Sequence, residues 1–204
     1  CSQLLVDVRH PPLVVVEPQP GRDFGHAALG DIFPPAYNAP MHGSQDVGDA
    51  TPGSPGAWER LQARLAVKVG HARLGELDLL LPELADPVAY LREHMDPSGQ
   101  RDLPYWTKLW PASIVLASFA QRSLKPPGRV LELGAGLGVP GLVCAQKGCP
   151  VVLSDLDPDA LDFARAAVEL NHLESVATVL PLDWTNPPAN LGTFETVIGS
   201  EVLY

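Results

Sequence analysis

The feature that most constrains the fold is an apolar run that breaks into closely spaced glycines between positions 129 and 141. The segment reads Arg-Val-Leu-Glu-Leu-Gly-Ala-Gly-Leu-Gly-Val-Pro-Gly. The apolar residues before the glycines suit a buried strand, and a helical pattern follows them. Gly134, Gly136 and Gly138 allow a tight turn and let a ligand lie directly on the backbone. The segment therefore predicts a strand, a ligand-binding turn and a helix.

Glu132 indicates which ligand this turn would bind. It comes two residues before the first glycine, at the end of the strand where α/β sheets bind ligands. A dinucleotide pyrophosphate is bound by backbone N–H groups and has no use for a carboxylate. S-adenosylmethionine (SAM) instead carries a cationic amino group and a sulfonium. The dinucleotide pattern G-x-G-x-x-G also requires a glycine where Val139 stands. We therefore expect SAM as the cofactor, with NAD as the alternative.

A second apolar run, residues 150–155, ends in an acid about 20 residues after the glycines. This acid, Asp155, stands where a βαβ nucleotide site has the residue that binds the ribose hydroxyls. Asp157 precedes Pro158, which suits the first turn of a helix, so we interpret Asp157 as the helix N-cap.

Composition limits the classes of partner. The net charge of −10 and the pI of about 4.9 argue against a nucleic-acid surface and are compatible with a basic or lysine-bearing partner. The three cysteines have no metal-site spacing and cannot all pair, which favours a reducing cytoplasm and no metal. No apolar run approaches the length of a membrane span. The oligomeric state is left open.

The chain divides into three predicted parts. Residues 1–57 are rich in proline and glycine, and we expect them to be partly disordered. Residues 58–103 predict a β-hairpin and a helix as an N-terminal extension. Residues 104–204 alternate strands with helices and predict a Rossmann-like, doubly wound α/β domain with a mostly parallel sheet. We expect this SAM-binding domain to be truncated after its fourth strand, so the chain is interpreted as a fragment.

Several further segments resemble one known family. They are Pro104–Ser113 with Trp110, the glycine turn, Ser154–Asp157, Leu182–Trp184, and Ser200–Tyr204 after the last predicted strand. Together they resemble the class I, seven-strand SAM-dependent methyltransferases, and within them the protein lysine methyltransferases of the methyltransferase-like 21 group and their bacterial relatives. The resemblance covers about residues 64–204.

The resemblance implies roles for individual residues. Trp110 would pack beside the cofactor, although Trp106 and Trp110 could instead form a hydrophobic lid. Asp155 would bind the ribose, Leu156 would also contact the cofactor, and Asp183 and Trp184 would cover the adenine. Ser200 would lie at the cofactor.

The segment from Glu201 to Tyr204 resembles the D/E-x-x-Y motif of this lysine methyltransferase group. Glu201 and Tyr204 are therefore the expected catalytic residues. Since a lysine amine must be neutral to attack a sulfonium methyl group, Glu201 would orient it and accept its proton, and Tyr204 would line the lysine channel. The expected partner is a protein with a target lysine. Small-molecule N-methylation of the nicotinamide type, or a non-catalytic scaffold with this fold, are the alternatives.

Overall fold

A computed structural model of the chain describes residues 14–16, 54–94, 104–126 and 128–202. The strands in chain order are β1 (Val14–Val16), β2 (Val67–Leu74), β3 (Leu77–Leu84), β4 (Val130–Leu133), β5 (Val151–Asp155), β6 (Ala177–Pro181) and β7 (Thr196–Gly199). The helices are α1 (Ala57–Arg64), α2 (Pro87–His94), α3 (Pro111–Ser123), α4 (Val139–Gln146) and α5 (Pro158–Leu170), with a short 3-10 turn at Tyr105–Thr107.

The main sheet has the strand order β1-β7-β4-β5-β6. Strands β7, β4, β5 and β6 run parallel to one another, and β1 pairs antiparallel with the outer edge of β7. Because β4 is flanked by β7 and β5, the segments that follow these three strands emerge together at one edge of the sheet. The predicted Rossmann-like, mostly parallel α/β sheet is confirmed.

Alternate residues of the parallel strands bury opposite faces of this sheet. On one face Val130, Leu153 and Ile198 join the main core, which also includes α4 and α5. On the other face a second cluster contains Leu131, Leu133, Val152 and Leu182. Both faces are therefore covered, as a parallel sheet requires.

The N-terminal hairpin packs on α5 and shares its core with the sheet. Leu79 of β3 and Phe163 of α5 are fully buried in the same cluster. Asn171, just after α5, accepts a hydrogen bond from the backbone N–H of Leu80 at 3.0 Å and donates one to the Leu80 carbonyl at 2.7 Å. The Asn171 amide therefore pairs with β3 as a neighbouring strand would.

The predicted elements agree with the structure, with boundary shifts of a few residues at most. Helix α2 begins after Asp86, whose carboxylate accepts from the N–H groups of Val88 and Ala89. Most of segment 1–57, for which partial disorder is expected, lies outside the described residues. Across the part of the chain that is described, no helix is both long enough and apolar enough to cross a membrane.

Candidate cofactor site

The glycine turn links the ends of β4 and β5. Its three glycines have left-handed backbones, with φ of 56° at Gly134, 52° at Gly136 and 70° at Gly138. The N–H of Ala135 donates to the Ser154 carbonyl at 2.9 Å, so the turn continues the strand pairing beyond β4. Left-handed residues with side chains would be strained here, which explains the three glycines.

Glu132 of β4 has an environment different from the one expected for a ligand contact. Its side chain is 1% exposed, and Oε2 accepts a hydrogen bond from the backbone N–H of Gly141 at 2.8 Å. Burial raises the pKa of this carboxyl to about 8, against the lowering effect of the Gly141 hydrogen bond. Glu132 therefore faces the first turn of α4, where it satisfies an N–H group that the helix itself leaves free.

Asp155 fixes the turn from the end of β5. Its Oδ2 accepts from the Gly136 N–H at 2.9 Å, and its Oδ1 accepts from the N–H groups of Leu156 at 2.8 Å and Asp157 at 3.1 Å. Burial raises the pKa of Asp155, and these three hydrogen bonds oppose the rise. Asp157 caps α5 by accepting from the N–H groups of Asp159 and Ala160, which confirms its interpretation as the N-cap.

The loop after β7 lies against the glycine turn. Leu133 of β4 pairs with Gly199 of β7, so Gly134 and Ser200 follow neighbouring strands side by side. A Cβ atom added to Gly134 would lie 2.7 Å from Cγ1 of Val202, which shows that this valine packs directly on the first glycine. Glu201 has a left-handed backbone with φ of 56°, a conformation that a residue with a side chain rarely adopts.

The segment after β6 brings an aromatic ring to the same turn. A Cβ atom on Gly134 would lie 3.6 Å from Cη2 and Cζ3 of Trp184, and this tryptophan packs on the second core cluster. The Oδ1 atom of Asp183 accepts from the backbone N–H of Thr185 at 2.9 Å and from its hydroxyl at 2.6 Å. Trp184 therefore lies at the turn, while Asp183 organises the loop that carries it.

The two tryptophans of the segment before α3 differ in their contacts. The indole N–H of Trp110 donates to the Tyr105 carbonyl at 2.9 Å, and Lys108 Nζ lies 4.4 Å from the centre of a Trp110 ring. Trp106 lies beside the glycine turn, because a Cβ atom on Gly136 would lie 3.2 Å from the Trp106 carbonyl oxygen.

The structure thus brings most of the predicted site residues to one sheet edge. The residues at or just after the ends of β4, β5, β6 and β7 are Gly134, Gly136, Gly138, Asp155, Leu156, Asp183, Trp184, Ser200 and Glu201. Leu203 and Tyr204 lie outside the described residues. Sequence reasoning missed the contact of Trp106 with Gly136, and it missed Ser154, whose hydroxyl donates to the Glu132 carbonyl at 2.6 Å. The spacing of the residues in the sequence predicts neither contact.

Comparisons with known proteins bear on the family of the chain. Residues 104–204 match the model of a family described as lysine methyltransferase. A mouse protein named histone-arginine methyltransferase METTL23 is 37% identical over 133 residues, which cover 55% of this chain and 51% of that protein. Mouse protein N-lysine methyltransferase METTL21A is 32% identical over 111 residues, which cover 51% of this chain and 50% of that protein. The chain spans about half the length of these curated relatives.

A solved structure of Pyrococcus horikoshii TYW2 in complex with MeSAdo overlaps 59% of this chain and 38% of that one. Its identity of 19% and TM-score of 0.42 are too low to bear on the assignment. The resemblance predicted from the sequence is confirmed by the family match and by the similarity to METTL21A. Residues 104–204 therefore match the lysine methyltransferase family, and about half of the chain is similar in sequence to named protein methyltransferases.

Proposed function

We propose that this chain is part of a SAM-dependent N-methyltransferase that methylates a lysine side chain of a protein. The observation that carries the proposal is the pairing of Leu133 with Gly199, which sets the glycine turn beside the segment beginning at Ser200. A cofactor on the turn and an acceptor at the Ser200 segment would then meet at one sheet edge. The family description and the name of METTL21A support lysine as the acceptor.

The residues of this edge fit SAM. Bound SAM would supply a methyl group on a positively charged sulfur. The carboxylates of Asp155 and Glu201 would favour this positive charge, whereas they would disfavour the negative charge of a dinucleotide pyrophosphate. The proposed contacts are Gly134, Gly136 and Gly138 through the backbone, Asp155 and Leu156 for the ribose, Asp183 and Trp184 for the adenine, and Trp110 and Ser200 beside them. Oδ2 of Asp155 accepts one hydrogen bond, from the Gly136 N–H, and its second lone pair can accept from a ribose hydroxyl.

Glu132 belongs to this site in a different way. Because its carboxyl group is buried and accepts from the Gly141 N–H, we propose that Glu132 supports the start of α4 and does not bind the cofactor amine. The glycine turn lies between Glu132 and Gly141 in the chain, so their hydrogen bond closes the loop that carries it.

Glu201 is the proposed proton acceptor. A lysine amine has a reference pKa of about 10.4, so roughly one in a thousand is neutral near pH 7. The site must therefore remove a proton before the nitrogen can attack. A carboxylate that follows β7, beside the turn, is suitable to orient the amine and accept that proton. Tyr204, three residues later, is the proposed wall of the lysine channel.

Arginine is the second candidate acceptor. The more similar of the two relatives described above, at 37% identity, is named for arginine methylation of a histone. A guanidinium stays protonated at any pH at which proteins are studied. It would therefore enter the site as a cation, and carboxylates would have to bind its positive charge. The net charge of −10 suits either basic acceptor.

Two measurements test the proposal. Calorimetric titration of the chain with SAM, with NAD as the control ligand, should show binding of SAM alone. Labelling of a cell lysate with tritiated SAM, followed by acid hydrolysis of the proteins, separates methyl-lysine from methyl-arginine. Label recovered only in small molecules, or binding of NAD in preference to SAM, would overturn the proposal.

Variants assign the roles within the site. Glu201→Gln should reduce methyl transfer by about 100-fold or more while it changes the SAM dissociation constant by less than about threefold. Asp155→Asn should weaken SAM binding by about tenfold or more. Glu174→Gln, at an exposed position after α5, is the matched control and should change neither quantity. Equal losses of binding and transfer in Glu201→Gln would count against its catalytic role.

A further inference from the structure

A set of contacts behind the glycine turn connects it to the N-terminal extension. The carbonyl oxygen, Cα and Cβ of Trp106 would lie 3.2, 3.4 and 3.5 Å from a Cβ atom on Gly136. The backbone of the short 3-10 turn therefore lies directly on the middle glycine. The N–H of Gly136 donates to Asp155 Oδ2 at 2.9 Å. A shift of Trp106 would therefore move Gly136 and, through this hydrogen bond, the proposed ribose-binding residue Asp155.

The Trp106 ring is held between two elements. It packs edge-to-face on Phe163 of α5, with ring centres 4.8 Å apart and planes at 65°. It also meets Tyr90 of α2 edge-on, at 6.1 Å and 88°. Phe163 is fully buried and Tyr90 is 8% exposed, so neither ring has room to move aside. Helix α2 thus contacts, through Tyr90, the 3-10 turn that covers Gly136.

A buried carboxylate fixes Tyr90 in turn. Its hydroxyl donates to Oδ2 of Asp159, a residue of α5 that is 8% exposed. The other oxygen, Oδ1, lies 2.8 Å from the guanidinium of Arg64, at the end of α1. Both oxygens of the Asp159 carboxylate are therefore bound by side chains of the N-terminal extension. The same guanidinium also pairs with Asp162 at 2.7 Å.

We infer that Tyr90 and Trp106 are positioning residues for the cofactor site, and that residues 57–94 take part in cofactor binding without contacting the cofactor. The inference rests on the proposed function of the glycine turn. The contacts run from Arg64 through Asp159, Tyr90 and Trp106 to Gly136. A residue on α2, more than 40 positions before the turn in the sequence, would thus set how rigidly the turn is held.

The test compares Tyr90→Phe, Trp106→Leu and their combination in the full chain. Tyr90→Phe removes only the hydroxyl and keeps the ring that packs on Trp106, so the fold is retained. Leu74→Ala is the matched control, because Leu74 is 6% exposed in the same extension but has no part in these contacts. It should lower the melting temperature at least as much as Tyr90→Phe.

Two readouts are needed. Amide hydrogen exchange of the peptide containing residues 134–138, measured without cofactor, should be faster in Tyr90→Phe and Trp106→Leu and unchanged in Leu74→Ala. SAM titration should show about tenfold weaker binding in each of the first two variants. The double variant should be little worse than the poorer single one, because the two residues act through one set of contacts.

Unchanged exchange at 134–138 in both Tyr90→Phe and Trp106→Leu would overturn the inference. Equal acceleration in Leu74→Ala would also overturn it, because general loss of stability would then explain the effect. If the unmodified chain failed to bind SAM, the proposed function would fail, while the exchange measurement would still decide whether Tyr90 and Trp106 hold the turn.

Discussion

The carboxyl group of Glu132 accepts a hydrogen bond from the backbone N–H of Gly141 at 2.8 Å, inside the core of the domain. Gly138, the N-cap residue of α4, has no side chain with which to bind the first N–H groups of that helix. An acid six residues earlier in the chain provides this interaction from the neighbouring strand. The contact explains why the segment has a fourth glycine, at position 141, beyond the three of the turn.

Gly141→Ala should destabilise the protein. A Cβ atom there would lie 2.2 Å from Leu153 Cδ2 and 2.5 Å from Glu132 Oε2, which requires the core to shift. Overpacking of this kind costs about 1–3 kcal/mol, measurable as a lower free energy of unfolding in urea. Gly128→Ala is the control, since its nearest neighbours would lie at ordinary contact distances of 3.6 and 3.7 Å. Equal stabilities of the two variants would contradict this account of Gly141.

Glu132→Gln should alter how stability depends on pH. The folded-state pKa of about 8 lies above the ordinary value of 4.5, so between these pH values the folded protein holds a proton that the unfolded chain releases. Glu132 therefore contributes a loss of stability as pH rises through this window, by up to about 1.4 kcal/mol per pH unit. The difference in unfolding free energy between the wild type and Glu132→Gln, measured from pH 5 to 8, should shift in favour of the variant. A constant difference would show that Glu132 is ionised in the folded protein.

The left-handed backbone of Glu201 predicts that a substitution there can stabilise the protein while it removes activity. A left-handed residue with a side chain costs about 1–3 kcal/mol, and glycine avoids most of this cost. Glu201→Gly should therefore unfold at an equal or higher urea concentration than the wild type, while Glu201→Val should be less stable by about 1–2 kcal/mol. Both should lose methyl transfer, because both lack the carboxylate. A stable, active Glu201→Val variant would contradict both the strain and the proposed role.

Asn171→Ala should loosen the N-terminal hairpin. The substitution removes both hydrogen bonds from Asn171 to the backbone of Leu80. The N–H and carbonyl of Leu80 are partly buried, so water replaces these bonds only incompletely. We expect a loss of about 2–3 kcal/mol of unfolding free energy and faster hydrogen exchange at Leu80. Asn186→Ala, at an exposed position in the loop before β7, should change neither. Slow exchange at Leu80 in Asn171→Ala would show that the hairpin is held by its apolar contacts alone.

The elements of the fold could be predicted from the sequence because their signals are local. Alternating apolar residues indicated the hairpin, Pro158 after Asp157 indicated the start of α5, and the glycine spacing indicated the turn between β4 and α4. The position of β7 next to β4 was not predictable from any local pattern. It depends on a crossover between segments separated by more than 60 residues.

The site shows the same division between local and long-range information. The glycines and Asp155 were recognisable from their spacing, and the structure joins them through the hydrogen bond between Gly136 and Asp155. The direction of the Glu132 side chain was not predictable, because an acid at a strand end can point toward a ligand or into the core. The contact of Trp106 with Gly136 likewise depends on how α2 and α5 pack, which the spacing of residues does not record.

The pairing of Leu133 with Gly199 also sets the alignment of the two segments between which the proposed methyl transfer would occur. Neighbouring residues of a strand are about 3.3 Å apart and point to opposite faces of the sheet. A slip of β7 against β4 by a single residue would move the Ser200 segment by this distance and turn its side chains to the wrong face. Methyl transfer in line with a carbon–sulfur bond does not tolerate such an error. The alignment of donor and acceptor would thus be decided when the sheet forms, long before either ligand arrives.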